Sequence, residues 1–170
     1  MSNESLLEKK TVRTVIDYLQ NFDPNLSPIY LDTTARTAKE AAQSLSKKQS
    51  SDVPVGAILK SLVFNSLKKN VYYLCLVSGD KFISLKKLSL NIDDSVEKTF
   101  AKEVKNRTGY SIGGVPPVGH INSPAQILID LNLKRFEKIY AAAGHPYVVF
   151  GITFEKICQI TNGKIIDFVE

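Results

Sequence analysis

Lys60 stands inside the apolar run Ile58-Leu59-Lys60-Ser61-Leu62-Val63-Phe64, where a charged side chain needs a reason. In an extended chain successive side chains alternate between faces, so Lys60 shares a face with Ile58, Leu62 and Phe64. Its ammonium either passes those neighbours to reach water or ends in a partly buried pocket. The second case makes it a cationic donor fixed on a rigid strand and aimed at a carbonyl, carboxylate or phosphate. The first makes it an edge-strand lysine that snorkels and discourages aggregation. A second candidate is Gly113-Gly114-Val115-Pro116-Pro117-Val118-Gly119. Its glycines admit a ligand close to backbone N–H groups while its prolines stiffen the loop, which gives a preorganised hydrogen-bonding surface or a tight structural turn. It is neither GxxxxGK[ST] nor GxGxxG opening a helix, so it supports no nucleoside-triphosphate cradle and no dinucleotide fingerprint. The third candidate, Ala141-Ala142-Ala143-Gly144-His145-Pro146, sets small side chains and one histidine at a chain reversal. That reads as a concavity, or as a histidine complementing a helix end. Asp130, after Ile127-Leu128-Ile129, is a site carboxylate or a turn cap.

Other chemistries lack their residues. Cys75 lies in the apolar run 71–77 and reads as a small buried hydrophobe, and no GxSxG elbow occurs. With two histidines and two cysteines the chain has neither paired zinc-ligand spacing nor HExxH, so neither a metal nor another cofactor is expected.

The elements that must position these residues follow from periodicity. Val12, Val15, Ile16 and Leu19 mark an amphipathic helix over about 6–21, ended by Asp23-Pro24. A short strand at 29–31 precedes a helix at 35–45 with Thr33 or Thr34 as its cap, and 46–52 reads as a polar connection. Runs 57–64 and 71–77 pair as a hairpin. Helices are expected at 86–90 and 95–107, the second closed by Gly109, with the glycine-proline loop after it. A strand at 126–131, a helix at 133–143 stopped by Gly144, a strand at 147–150, a helix at 153–161 and a strand at 164–169 complete the chain. This interleaving favours an α/β fold with a central mixed sheet and packed helices.

The chain has 170 residues, 44% hydrophobic and 23% charged, an ordinary globular composition that fits one domain spanning 1–170 and excludes collagen-like or disordered classes. The net charge is +5, and +4 of it falls in residues 51–110, around Lys60. That permits a polyanionic partner without requiring one. No leader-like N-terminus and no membrane-length apolar run is present, which points to a cytoplasmic protein in a reducing compartment.

Taken in order, Thr34-Ala35-Arg36-Thr37-Ala38, Ile58 to Phe64, Ser78-Gly79-Asp80, Thr108-Gly109-Tyr110-Ser111-Ile112-Gly113-Gly114-Val115-Pro116-Pro117, Ile129-Asp130 and Ala142-Ala143-Gly144-His145 resemble the YbaK/ProX family. These are freestanding aminoacyl-tRNA deacylases related to the editing domain inserted in bacterial prolyl-tRNA synthetase. The resemblance runs from about residue 5 to 169. It implies hydrolysis in trans of the ester joining a wrong amino acid to the terminal adenosine of a tRNA. It also implies that Lys60, Gly113 and Gly114 carry the catalytic work, with Lys60 holding the backbone or terminal phosphate region of the substrate. By the same resemblance Thr34, Pro117, Asp130, Ala142, Gly144 and His145 surround the substrate, the last three shaping the amino-acid pocket. The implied partners are the 3' acceptor end of a mischarged tRNA and a prolyl-tRNA synthetase or another synthetase, with no membrane and no DNA. Ala142 stands where some relatives have serine. The small residues at 141–144 favour Ala, Ser, Thr or 2-aminobutyrate as the removed amino acid. A noncatalytic module that binds tRNA or a synthetase is the alternative.

Overall fold

A computed structural model describes all 170 residues. Ser2 caps a short helix α1 (Asn3–Glu8), and the extended backbone of Lys9 separates it from α2 (Lys10–Phe22). The expected single helix over 6–21 is thus two. The buried stripe of Val12, Val15, Ile16 and Leu19 on α2 is the one the spacing predicts. Strand β1 (Pro28–Tyr30) leads to α3 (Ala38–Gln49), whose cap is Thr37, its Oγ1 accepting from Glu40 N–H at 3.1 Å. Neither Thr33 nor Thr34 is the cap. The helix also runs through the supposed connection at 46–49, because lysine, serine and glutamine there form its solvated last turn.

Strands β2 (Leu59–Ser66) and β3 (Tyr72–Ser78) form the expected antiparallel hairpin. After α4 (Leu85–Ile92), the segment expected as one helix at 95–107 divides into strand β4 (Val96–Lys98) and helix α5 (Ala101–Thr108). Val96 and Val104 are both buried, which mimics a helical period. Phe100, expected on the same stripe, is 82% exposed at the junction. Gly109 ends α5 at φ +89°, as its position predicts. The glycine-proline loop follows, then β5 (Gln126–Ile129) parallel to β3.

The largest correction is at 133–143. A 3-10 turn over Leu131–Arg135 gives way to strand β6 (Ile139–His145), which pairs antiparallel with β7 (Val148–Ile152). Ala141 and Ala143 pack into the core under α2, and Tyr140 packs on the opposite face against α3. Burial on both faces removes the alternation that would announce a strand, and alanine's helix propensity then misleads. Helix α6 (Phe154–Thr161), capped by Thr153, precedes a parallel strand β8 of only Lys164–Ile165. The expected strand to 169 is otherwise reduced to one bridge, Ile83 to Val169.

The strands make a mixed five-stranded sheet in the order β4-β2-β3-β5-β8 and a smaller antiparallel sheet β1-β7-β6. A parallel bridge from Ile58 to Tyr140 joins them at the start of β2. β4 covers only Phe64–Ser66 at the other end. The edge of β2 between these two contacts is left open, and the candidate site lies there. No helix is long and apolar enough to cross a membrane.

Candidate active-site cleft

Lys60 leaves β2 at this open edge. Its Nζ donates to the Lys81 carbonyl at 2.7 Å and lies 5.3 Å from the centre of the Phe82 ring, within cation–π range. Burial holds the ammonium's pKa below the usual lysine value, while Asp80 and Asp130 pull it upward. The turn that supplies the Lys81 carbonyl is itself fixed. Arg135 grips Asp80 with two hydrogen bonds of 3.1 and 2.7 Å and donates to Ser78 Oγ at 2.8 Å. This bidentate pairing holds the Asp80 carboxyl below the usual carboxylate range and raises the guanidinium. Ser78 Oγ also donates to the Gly56 carbonyl. Gly79 sits so close to Val55 that a Cβ would stand 2.1 Å from the Val55 carbonyl oxygen. Ser78-Gly79-Asp80 is therefore the frame that aims Lys60.

A cleft of about 540 Å³ opens beside Lys60, within the size range of small-molecule sites. Its walls are mostly apolar: Ala38, Ala41 and Leu45 of α3, Tyr140 and Ala142 of β6, Ile112, Gly113 and Val115 of the loop, and Phe82 and Leu85 at the mouth. The floor is β2 itself. The Val63 carbonyl accepts from Thr99 N–H at 3.2 Å, on the side away from β3. Strand alternation aims the Ser61 peptide N–H and carbonyl the same way, into the uncovered stretch.

The glycine-proline loop divides its labour. Gly113 lines the cleft at φ +94° and packs on Arg36. Gly114 does not present a free donor: its N–H donates to Ser111 O and its carbonyl accepts from Gly144 N–H, both at 3.0 Å. A Cβ on Gly114 would meet the His145 nitrogen at 2.9 Å, so the residue is a close-packed joint between loop and β6. His120 pins the far end. Burial lowers its pKa, so the neutral ring donates from Nε2 to Pro116 O at 2.7 Å and faces the Tyr72 hydroxyl at 2.8 Å through Nδ1. Pro117 is turned toward a separate recess beside His120, outside the Lys60 cleft.

Gly144, at φ +90°, makes a bulge in β6 whose Cβ would collide with the Thr11 carbonyl of α2 at 2.6 Å. His145 ends a strand, so it caps no helix. Its Nδ1 accepts from Tyr147 N–H at 3.2 Å, and burial, with Lys9 and Arg36 nearby, lowers its pKa. It is not among the residues that line the cleft, which on β6 are Tyr140, Ala141 and Ala142. Thr34 adjoins the wall formed by residues 35–38, its Oγ1 buried without a partner. Asp130 is buried and structural: it accepts from Asn132 N–H at 2.9 Å, from the Asn132 amide at 2.7 Å and from Ser78 N–H at 3.1 Å. It caps the 131–135 turn and braces the Ser78 frame.

Lys60, Gly113 and Ala142 thus line the cleft, Thr34, Gly114, Gly144 and His145 are close to lining residues in sequence but do not line it, and Pro117 and Asp130 stand away from it. Sequence reading missed Arg135 and His120, which carry no motif, and Phe82 and Thr99. It also passed over Ser61, although a polar residue inside an apolar strand was a readable signal. No group of three or more His, Cys, Asp or Glu side chains is clustered, and the buried Cys75 thiol is pushed up by desolvation. The arrangement offers a positioned cation, backbone groups and hydroxyls, which suit it to orienting and polarising an already activated carbonyl.

Such a cleft on a mixed α/β sheet has clear relatives. Residues 32–159 match the aminoacyl-tRNA editing domain, and the chain belongs to that family. A solved structure described as a candidate trans-editing enzyme for prolyl-tRNA synthetase is 34% identical, with a TM-score of 0.83 over 95% of this chain and 98% of that one. A second, from work on grafting linear epitopes onto scaffold proteins, is 31% identical with a TM-score of 0.83, covering 95% of this chain and 99% of its own. The uncharacterised protein YwhH of Bacillus subtilis (strain 168) is 28% identical over 134 residues, 79% of this chain and 80% of its own length. The YbaK/ProX-like reading and the α/β fold both stand.

Proposed function

We propose that the protein is a trans-acting aminoacyl-tRNA deacylase that removes a small amino acid from a mischarged tRNA. The observation that carries this is the partly buried Lys60 ammonium, held by Lys81 and Phe82 at the mouth of an apolar cleft beside an open strand edge. Lys60 holds the terminal ribose-phosphate region of the tRNA. Phe82, 69% exposed beside it, offers a face on which the terminal base stacks. The aminoacyl group enters between Gly113 and Ala142, where small residues limit its size.

The ester is activated, so orientation and stabilisation of the developing oxyanion supply most of the acceleration. Water adds to the acyl carbon, the acyl–oxygen bond breaks, and the ribose oxygen leaves with a proton. The products are a free amino acid and an uncharged tRNA. The basic residues concentrated between 51 and 110 include Lys98 in the cleft wall, and they favour the polyanion through salt-sensitive contacts. A prolyl-tRNA synthetase or another synthetase is the partner that would deliver such a substrate in the cytoplasm.

The test is a panel of tRNAs charged with Ala, Ser, Thr and Cys, incubated with purified protein. At least one ester is expected to be cleaved with multiple turnovers. Salt-sensitive tRNA binding without any cleavage would instead make the protein a noncatalytic tRNA-binding module.

A further inference from the structure

Two hydroxyls in the cleft have no partner. Ser61 Oγ and Thr99 Oγ1 are buried and unbonded, and both residues line the cavity. Thr99 is 3% exposed. The antiparallel register pairs Phe64 with Lys98, and Thr99 N–H reaches Val63 O, so Thr99 stands opposite Val63. Ser61 and Val63 share a face of β2, and cross-strand partners share a face too. The two hydroxyls therefore lie on one face, a diagonal step apart at roughly 7–8 Å between Cα atoms. Val63, Val104 and Val115 line the same cavity. Lys60 is on the other face of the strand and lines the same cavity.

A buried hydroxyl without a hydrogen-bond partner is penalised, and two side by side are uncommon unless a ligand completes them. We infer that Ser61 and Thr99 select the side chain of the removed amino acid, favouring one that carries a hydroxyl, serine or threonine, over its hydroxyl-free counterparts alanine and 2-aminobutyrate. This rests on the deacylase reading and sharpens it. A site built to bond a substrate hydroxyl discriminates far more strongly than one that only measures size, since the analogue leaves the protein's own polar groups unpaired. The two hydroxyls set the polarity of the side chain that is accepted.

The experiment compares kcat/KM for four esters on one tRNA: Ser against Ala, and Thr against 2-aminobutyrate, each pair differing by one hydroxyl. At least one hydroxylated ester is expected to be preferred over its counterpart by ~10-fold or more. In Thr99→Val that ratio falls to near one, with Ser61→Ala moving it the same way. Because a methyl group replaces an unbonded hydroxyl, Thr99→Val should melt at the wild-type temperature or higher, so a changed ratio is not misfolding. If Ala and 2-aminobutyrate are removed as readily as Ser and Thr, or if both variants keep the wild-type ratio, the inference is overturned while the deacylase reading stands. If all four esters survive, the deacylase reading fails and takes the inference with it.

Discussion

The two faces of strand β2 handle polar groups in opposite ways. On the Lys60 face the lysine donates to Lys81 O, in a turn held by Asp80 on Arg135 and by Ser78 on Gly56 and Asp130. On the Ser61 face the two hydroxyls find none. A fully bonded network fixes a geometry, and buried groups without partners leave bonding capacity for a ligand. In the proposed deacylase the first face holds the invariant part of the substrate, and the second reads its variable part. Substitutions on the two faces should therefore fail differently.

The largest effect is expected on the bonded face. Lys60→Ala should lower kcat/KM for the best ester by about 100-fold with little change in which ester is best, measured by the same four-ester comparison. A changed preference with retained rate would reverse the roles of the two faces. Gly79→Ala comes next. Its Cβ meets a backbone carbonyl at 2.1 Å, which forces the frame apart and should cost about 3 kcal/mol in urea unfolding. Wild-type stability in this variant would mean that the Ser78–Lys81 turn is adaptable and does not aim Lys60.

A smaller effect is expected from Arg135→Met. The ion pair is about 40% exposed on both sides, so its contribution to stability should stay under about 1 kcal/mol. Turnover should nevertheless fall by about 10-fold as the Asp80 turn loosens. Equal losses in stability and rate would make the pair structural only.

The smallest effect concerns pH. His120 has a folded-state pKa below its ordinary value of 6.5, so below pH 6.5 the unfolded chain binds a proton that the folded chain resists. Stability should therefore rise with pH through that region and fall as the solution is acidified from 7 toward 5. His145, lowered too, adds in the same direction. Asp80 acts only further down, since its stabilisation is lost as pH falls below 3.8. His120→Asn should flatten the slope between pH 7 and 5 in thermal melts, and an unchanged slope would remove His120 as the acid-sensitive clamp on the loop.

The sequence was most legible where one face of an element is wet. The α2 stripe, the β2–β3 hairpin and the Gly109 cap follow from period and glycine position alone. It was least legible where burial is two-sided: β6 carries Ala141 and Ala143 on one face and Tyr140 on the other, and it reads as a helix. The error at 95–107 has a different cause, because Val96 and Val104 happen to sit at a helical multiple while belonging to a strand and a helix. That error hid Thr99. Lys60 was visible because a charge in an apolar strand is locally anomalous, and Gly113 because a short loop with three glycines and two prolines is. Arg135 and His120 act through contacts 55 and 48 residues away in sequence, and no local pattern announces them.

The central question is whether this cleft cleaves an aminoacyl ester. Its most direct measurement is a single-turnover time course with serine-charged tRNA, labelled in the amino acid, mixed with excess wild-type protein and in parallel with Lys60→Ala. The prediction is release of free serine from an intact tRNA well above the rate of spontaneous hydrolysis, with that excess largely gone in the variant. Release indistinguishable between wild type and Lys60→Ala, or no faster than buffer alone for serine and for every other ester in the panel, would contradict it.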